Sequence, residues 1–327
     1  MPTIDIVITW VDGNDPLHRA KRQAYQTTQK ENTREDIGGH ERYDASGEIF
    51  ICIGSILRFA PFVHKIFLVT DQQDPQLQPF ISRNFPENNI PIEIIDHKEL
   101  FKGYEEYLPS FNSLSIETML YRIPELSEHF VYFNDDFFLV APISAETWFV
   151  ENKAVCYGHR FNSNLARFIR WIKPPKQGHK TFGFKDAMLN AADVLHSKYF
   201  WFISHAPLPV CKSAYEKFYS THQTVLVNNI RHRFRDPSQF NPQVLFYLLG
   251  EKENRCLFRP AKGKTLFLKP KANKKNYLSR KLKAADKNPE ILFGCINSLG
   301  EAPQEERQMF LKWIERKLNI TLNNIRA

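Results

Sequence analysis

Residues 130–139 read Phe-Val-Tyr-Phe-Asn134-Asp135-Asp136-Phe-Phe-Leu139. An apolar, aromatic run leads into an amide and two adjacent carboxylates, and a second apolar run follows. Inside a buried strand this order is unfavourable, because an ionised carboxylate taken out of water costs several kcal/mol or takes up a proton. An isolated Asp-Asp is ordinarily a solvated turn. Here the flanking runs put the pair where a strand ends in a polar crevice. Carboxylates in such a place bind a cation, position a diphosphate or accept a proton.

Working outward, Phe130–Phe133 is the fourth of a series of short strands. Ile4–Thr9 is β-branched and runs into Trp10-Val11-Asp12-Gly13-Asn14-Asp15-Pro16, a turn by composition. Lys65–Thr70 is a second strand, stopped by Asp71, and the alternation of Pro91–Asp96 marks a third. Between them, Ile49, Ile53, Ile56, Leu57 and Ala60 keep a helical period that Pro61 ends. Asn112 or Ser113 is placed to cap a helix whose buried face carries Ile116, Met119, Leu120 and Ile123. Residues 19–43 are charged and polar, a surface helix followed by a loop. Strands alternating with helices predict an α/β fold: a mostly parallel sheet with helices on both faces, Rossmann- or GT-A-like, with a helical C-terminal portion. Ligands of such sheets bind beyond the carboxyl ends of the strands, where Asp12, Asp71 and Asp135-Asp136 all fall. No Gly-x-Gly-x-x-Gly or Walker A sequence is present, which disfavours ordinary dinucleotide and P-loop sites.

Beyond residue 150 the pattern weakens. Residues 160–185 are basic and aromatic. Tyr199–Ile203 is a short apolar strand leading to His205-Ala-Pro207, Gln243–Leu249 is helical, and Glu305–Leu318 is a closing helix. The division expected is residues 1–150 as the α/β part and 151–327 as a second part of the same unit. The 327 residues are 43% hydrophobic and 13% aromatic, enough for a sizeable core, so wholesale disorder is excluded. The net charge of +8 and pI of about 9.1 favour an anionic partner without choosing one. Five cysteines without a Cys-x-x-Cys pair argue against a disulfide framework or zinc site and suit a reducing cytosol. With no signal-peptide pattern and no stretch of roughly 20 apolar residues, the expectation is a cytoplasmic protein, peripheral at most on the inner face of the membrane.

Several residues have two readings on local sequence alone. Asp12 and Asp71 either face a ligand or cap a helix or Asx-turn. His205, held by a stiff Ala-Pro-Leu-Pro segment, is either an acid–base group or a surface histidine. Arg231, Arg233 and Arg235 would share one face if Arg231–Arg235 were a strand, suiting phosphate, or they form a solvated basic face. Lys262–Lys287 holds ten Lys/Arg and one acid. It is a solvated basic surface, or it attracts an acidic polymer or anionic headgroups. Its interleaved Phe267 and Tyr277 admit nucleic acid, though specific nucleic-acid binding is not expected.

Together these segments resemble the Stealth family of bacterial capsule polymerases and phosphotransferases, which includes the animal enzyme placing GlcNAc-1-phosphate on lysosomal glycoproteins. Ile4-Asp-Ile-Val-Ile-Thr-Trp10-Val-Asp12-Gly13-Asn-Asp15-Pro16 is similar to the first conserved region. The second runs from Gly47-Glu48 through Ser55-Ile56, Ala60-Pro61, Ile66–Asp71, Leu108–Ser113, Ile116-Glu117 and Arg122 to Asn134-Asp135-Asp136. His205-Ala-Pro207 with Arg231 and Arg233 is similar to the third, and Cys295-Ile-Asn297-Ser298 to the fourth. Two departures stand out: Phe50 and Gly54 occupy positions where the family carries arginines, and Ser298 follows Asn297 where an Asp is usual.

The resemblance implies transfer of a hexose- or N-acetylhexosamine-1-phosphate from a UDP-sugar to a hydroxyl of an oligo- or polysaccharide acceptor, with release of UMP, in capsule synthesis. It implies Mg²⁺ or Mn²⁺ on Asp135, and Asp136 or His205 as the base. Arg231 and Arg233 would sit on the diphosphate charge. Asp12, Gly13 and Asp71 would seat the nucleotide, Asn112, Glu117 and Arg122 the sugar, and Trp10 and Asn134 join the substrate-binding set. A capsule-assembly complex or membrane surface is a further expected partner. Two other readings remain open at this point: a GT-A-like glycosyltransferase releasing UDP, and a non-catalytic polysaccharide-binding subunit.

Overall fold

A computed structural model of the chain describes residues 2–26, 47–172, 183–270 and 276–322. The loop expected after residue 26 and the middle of the Lys262–Lys287 segment lie outside these residues. The first half supplies β1 (Ile4–Thr9), α1 (Pro16–Gln26), α2 (Glu48–Phe59), β2 (Lys65–Thr70), α3 (Gln78–Asn84), β3 (Ile92–Asp96), α4 (His97–Leu100), α5 (Ser113–Met119), β4 (His129–Asn134), β5 (Phe137–Leu139) and β6 (Phe149–Val150). The second supplies β7 (Lys153–Asn162), α6 (Ser163–Ile172), α7 (Phe184–Val194), β8 (Tyr199–Ile203), β9 (Leu208–Cys211), α8 (Lys212–Thr221), α9 (Gln223–Ile230) and α10 (Pro242–Lys252). It closes with β10 (Cys256–Arg259), β11 (Thr265–Leu268), α11 (Tyr277–Asp286), β12 (Phe293–Ile296) and α12 (Gln304–Leu318).

The main sheet has the order β3-β2-β1-β4-β9. Its first four strands are parallel and β9 is antiparallel at one edge. β1 and β4 are buried along nearly their whole length, which is why both read as continuous apolar runs. The exception in β1, Asp5, is fully buried but satisfied, by His64 Nδ1 at 2.8 Å and the Ser127 N–H at 2.7 Å. The chain steps from β1 outward to β2 and β3, then returns past β1 to lay down β4. The order therefore reverses between β1 and β4, and the carboxyl ends of these two strands are the switch point at which open α/β sheets bind ligands. Register aligns those ends: Thr9 pairs with Asn134 and Val69, and Thr70 with Asp96.

The C-terminal portion has the expected helices and adds small sheets. β7 pairs with β6, β8 and β10, and β5 joins β12 and β11 in a third sheet. Arg231–Arg235 is not a strand. It is a loop clasped by residues 106–113, because the Phe111 N–H donates to Arg233 O at 2.8 Å and the Asn112 amide to His232 O and Phe234 O, both at 2.9 Å. The local sequence favours the loop, since Asp236-Pro237 removes a ladder donor just beyond it.

β5 and β12 meet through Phe138 and Gly294, which are register partners. A methyl group on Gly294 would overlap the fully buried Phe138 ring. The same strand holds the acidic turn, through the Ile296 N–H to Asp136 O at 3.0 Å. Gly294→Ala is therefore expected to destabilise the protein by about 2–3 kcal/mol, measured by urea unfolding. Wild-type stability in that variant would show that β5 and β12 do not pack as described.

Candidate active site

At the switch point, Thr9 Oγ1 lies 2.9 Å from Tyr132 Oη, and that hydroxyl donates to Asn134 Oδ1 at 2.5 Å. The two neighbouring strand ends are thus tied by side chains as well as by the ladder. Glu117, projecting from α5, joins the network by hydrogen bonds with Tyr132, Ser113 and Gln243. Burial raises its carboxyl above the ordinary range, while the Arg235 guanidinium and these hydrogen bonds act against the rise. Arg235 Nη2 in turn donates to Ser113 Oγ at 2.8 Å.

Asp135 and Asp136 form the turn from β4 to β5. Burial, the Asp136 charge and then Glu48 hold the Asp135 carboxyl well above the usual carboxylate range. Burial raises Asp136 to about 6, against a hydrogen bond from Cys295 Sγ at 3.4 Å. Asp136 Oδ1 is buried and has no hydrogen-bond partner. α2 packs its Glu48, Cys52 and Ser55 edge on this turn. Cys52 Sγ is 3.8 Å from Asn134 O, and Ser55 Oγ accepts from the Leu139 N–H at 2.9 Å. The departures Phe50 and Gly54 face elsewhere. The Phe50 ring meets Phe80 edge-on at 5.4 Å, and a Cβ on Gly54 would meet Phe80 and Ile320. Arginines there would be set against an apolar contact.

Asp12 closes an Asx-turn, accepting from the Asn14 N–H at 2.8 Å. Gln73 pins the loop by accepting from the Asp12 N–H at 2.8 Å and donating to Asp12 O at 3.0 Å. Trp10 is buried with its N–H on Val69 O, and Gly13 is buried in the adjoining turn. Asp71, buried, pairs with Lys21 of α1 at 2.7 Å, with His18 and His97 close by. Burial depresses His97 to about 4 despite the Asp71 charge, so its ring is neutral near pH 7.

From the second half, His205 is half-buried between the rings of Phe184 and Phe267, with centroids 5.5 and 4.7 Å away. Burial, then Lys269, lowers its pKa. Phe267 and Cys295 are register partners on parallel strands and share a sheet face. Cys295 touches Asp136 and Phe267 carries His205, so the two candidate bases lie along one face. Asn297 and Ser298 follow directly, where β12 runs past the acidic turn.

The remaining candidates are dispersed. Arg231 is exposed, its Nε 3.4 Å from His232 Nε2. Arg233 is a brace, donating to Glu106 O and Leu108 O at 2.9 and 3.0 Å. Asn112 is fully buried, caps α5 and also donates to Gln239 Oε1 at 2.8 Å. Arg122 holds Leu100 O and Lys102 O and lies over the Tyr104 ring, touching none of the other candidates there. The residues without an assigned role in the sequence are Glu48, Tyr132, Arg235 and Cys295. Arg235 shares the alternating spacing of Arg231 and Arg233, and Glu48 carries a local signal as an acid in the first turn of a mostly apolar helix.

Among the described residues no group of three or more His, Cys, Asp and Glu side chains is arranged to hold a metal ion. The Asp pair nevertheless fits Mg²⁺ or Mn²⁺. Mg²⁺ is commonly bound by one or two carboxylates plus substrate phosphates, and the bare Asp136 Oδ1 offers a hard oxygen without a competing donor.

The chain matches two family models, "Stealth protein CR1, conserved region 1" over residues 2–28 and "Stealth protein CR2, conserved region 2" over residues 42–157. It is 30% identical to the capsular polysaccharide phosphotransferase WcwK of Streptococcus pneumoniae over 276 residues, covering 76% of this chain and 78% of that protein. It is 33% identical to the receptor polysaccharide phosphotransferase WefC of Streptococcus gordonii over 269 residues, covering 75% and 77%. The solved structure of galactosyltransferase LgtC with donor and acceptor sugar analogs aligns with a TM-score of 0.49 at 11% identity, over 97% of this chain and 96% of that one.

Asp136 also sets a pH dependence. Its folded pKa of about 6 lies above the ordinary 3.8, so ionisation opposes folding. The stability it allows is fully present below about pH 4 and is lost as pH rises through 6. Asp136→Asn should thus raise stability by about 3 kcal/mol at pH 7.5 and by only about 1 kcal/mol at pH 4.5. Thermal unfolding at the two pH values checks this, and a variant less stable at pH 7.5 would refute it.

Proposed function

The chain belongs to the Stealth family, and from that premise we propose that it transfers a hexose- or N-acetylhexosamine-1-phosphate from a UDP-sugar to an acceptor sugar hydroxyl. The product is a phosphodiester in a capsular or other cell-surface polysaccharide, and UMP leaves. The observation that carries the reading is the Asp135-Asp136 turn at the switch point, with one buried carboxylate oxygen unpartnered. The chemistry proceeds without a covalent intermediate. The acceptor oxygen attacks the sugar-bearing phosphorus, the bridging bond to the uridine phosphate breaks, and the hydroxyl proton passes to a base. Such a reaction needs alignment and charge neutralisation above all.

The roles are proposed as follows. Asp135 would hold a divalent cation. When bound, the cation neutralises charge on the diphosphate. Asp136 takes the acceptor proton, since a pKa near 6 leaves it ionised at neutral pH yet basic enough to act. His205, neutral for the reasons given, lines the acceptor side. Arg231 and Arg235 supply positive charge toward the phosphates, with Arg233 fixing their loop. Trp10, Asp12, Gly13 and Asp71 shape the nucleotide end, and Glu117 and Asn134 the sugar end. Asn112 and Arg122 act at a distance by holding the loops. Residues 1–150 thus seat the donor, and 151–327 close over it and receive the acceptor. The work is done at the inner face of the cytoplasmic membrane, where a polysaccharide-assembly complex is a natural partner.

Product analysis tests the reaction. Purified protein with Mg²⁺, an oligosaccharide acceptor and a panel of UDP-sugars should yield UMP and a phosphodiester signal in ³¹P NMR. UDP as the nucleotide product would overturn the phosphotransferase reading in favour of glycosyl transfer. For the assignment of the base, Asp136→Asn should lower kcat by about 10²–10⁴ and His205→Ala by less. The wild-type rate should fall toward acid pH as Asp136 takes up a proton, a limb that persists in His205→Ala. The opposite order of losses would move the base to His205, full activity in both variants would place the base elsewhere, and no turnover of any UDP-sugar by the wild type would leave a binding subunit.

A further inference from the structure

α6 turns its apolar side outward. Ser163 is fully buried and Ala166 packs on the core, while Leu165, Phe168, Ile169, Trp171 and Ile172 are 44–77% exposed. At 100° per residue these five cover an arc of about 160° pointing away from the protein. They are half of the large exposed apolar side chains among the described residues. Tyr199, exposed at the start of β8, adjoins the helix through its pairing with Asn162. A contiguous apolar face of this kind is unfavourable in water in proportion to its area, so it marks a contact surface.

Charge selects the occupant. From Lys153 to Lys185 the sequence carries eight Lys/Arg residues and no Asp or Glu. Arg160 stacks over Tyr199 at 4.3 Å and pairs with Glu251 at 3.2 Å, and Arg167 reaches sideways to Asp193, so these two basic side chains flank the apolar arc with acids behind them and the excess positive charge comes from the other Lys/Arg residues of the stretch. Their long stems can follow an apolar boundary while the charges stay in water. A second copy of the chain would bring the same positive stretch against itself, which like-charge repulsion opposes. A bilayer with anionic headgroups supplies both an apolar layer and negative charge.

We propose that α6 is an interfacial helix that docks the protein on an anionic lipid surface, its Leu165, Phe168, Ile169, Trp171 and Ile172 side chains entering the headgroup–acyl boundary. The basic segment at 262–287 is a different kind of surface. Its apolar residues Leu266, Leu268, Leu278 and Leu282 are buried in the core, and its described lysines stand without an apolar face. Charge alone attracts weakly and yields to salt, whereas an apolar face on a basic helix holds the interface.

Co-sedimentation of the full chain with vesicles reads this directly, in the absence of any sugar nucleotide, so failure of the transferase reading would leave the result unaffected. Binding is expected to phosphatidylcholine vesicles containing about 30% phosphatidylglycerol, and at least about tenfold weaker binding to phosphatidylcholine alone. The double variant Phe168→Ser/Trp171→Ser should lose about tenfold or more of the binding with an unchanged circular dichroism spectrum. Lys281→Glu/Lys283→Glu should bind as wild type. Three results would overturn the proposal: equal binding to the neutral vesicles, undiminished binding of the apolar variant, or loss confined to the lysine variant. A concentration-dependent dimer that the apolar variant abolishes, without vesicle binding, would assign the face to a second copy instead.

Discussion

Two carboxylates held side by side where water is largely excluded cannot both be ionised without help. At the β4–β5 turn that help is missing among the strongest influences on the pair. Burial, the neighbouring carboxylate and Glu48 all raise Asp135, and what opposes the rise at Asp136 is a thiol hydrogen bond and backbone N–H. A positive charge brought to the turn would relieve that repulsion. Around it the architecture is rigid: β1 and β4 are locked by Thr9, Tyr132 and Asn134, α2 presses Ser55 onto β5, and β12 grips the Asp136 carbonyl. Fixed dipoles and charges of this sort stabilise a reacting phosphate without reorganising when it reacts.

The sequence made the sheet legible because its signals are local. β-branched runs, the helical period of residues 49–60 and the Asn112 cap each concern residues a few positions apart, and each element lies within a few residues of where the pattern puts it. The site was legible only where the polarity of a residue conflicts with its neighbours, as at Asp135-Asp136. Cys295 reaches Asp136 across 159 residues and Arg235 reaches Ser113 across 122, and neither residue conflicts with anything nearby in sequence. No periodicity argument reports such pairs. They exist because the later chain returns to the first half, as β9 at the edge of the main sheet and as β12 beside β5 in the third sheet.

The Arg231–Arg235 loop illustrates how topology redistributes roles within one motif. As a strand it would present three equivalent guanidiniums. As a loop clasped by residues 106–113 it makes each one different. Arg231 is exposed, Arg233 is spent on backbone carbonyls and Arg235 faces Glu117 and Ser113. Spacing in sequence had made all three alike. The fold instead sets Arg235 in the network that reaches Asn134. A guanidinium beside a buried carboxylate is the arrangement that keeps Glu117 from a still larger upward shift.

Positive charge serves different ends in different parts of the molecule, and its apolar surroundings decide which. Around the site, cations are placed singly and held by hydrogen bonds, which suits a compact phosphate. On α6 they border a broad apolar arc and are free of acids for more than thirty residues of sequence, which suits a surface that is both oily and negative. An enzyme extending a surface polymer would benefit from having both. Holding the body at the lipid boundary raises the local concentration of any lipid-anchored acceptor near the crevice. The donor, small and water-soluble, still arrives from bulk solvent. The lipid contact would then change apparent acceptor affinity while leaving turnover at the Asp135-Asp136 turn untouched.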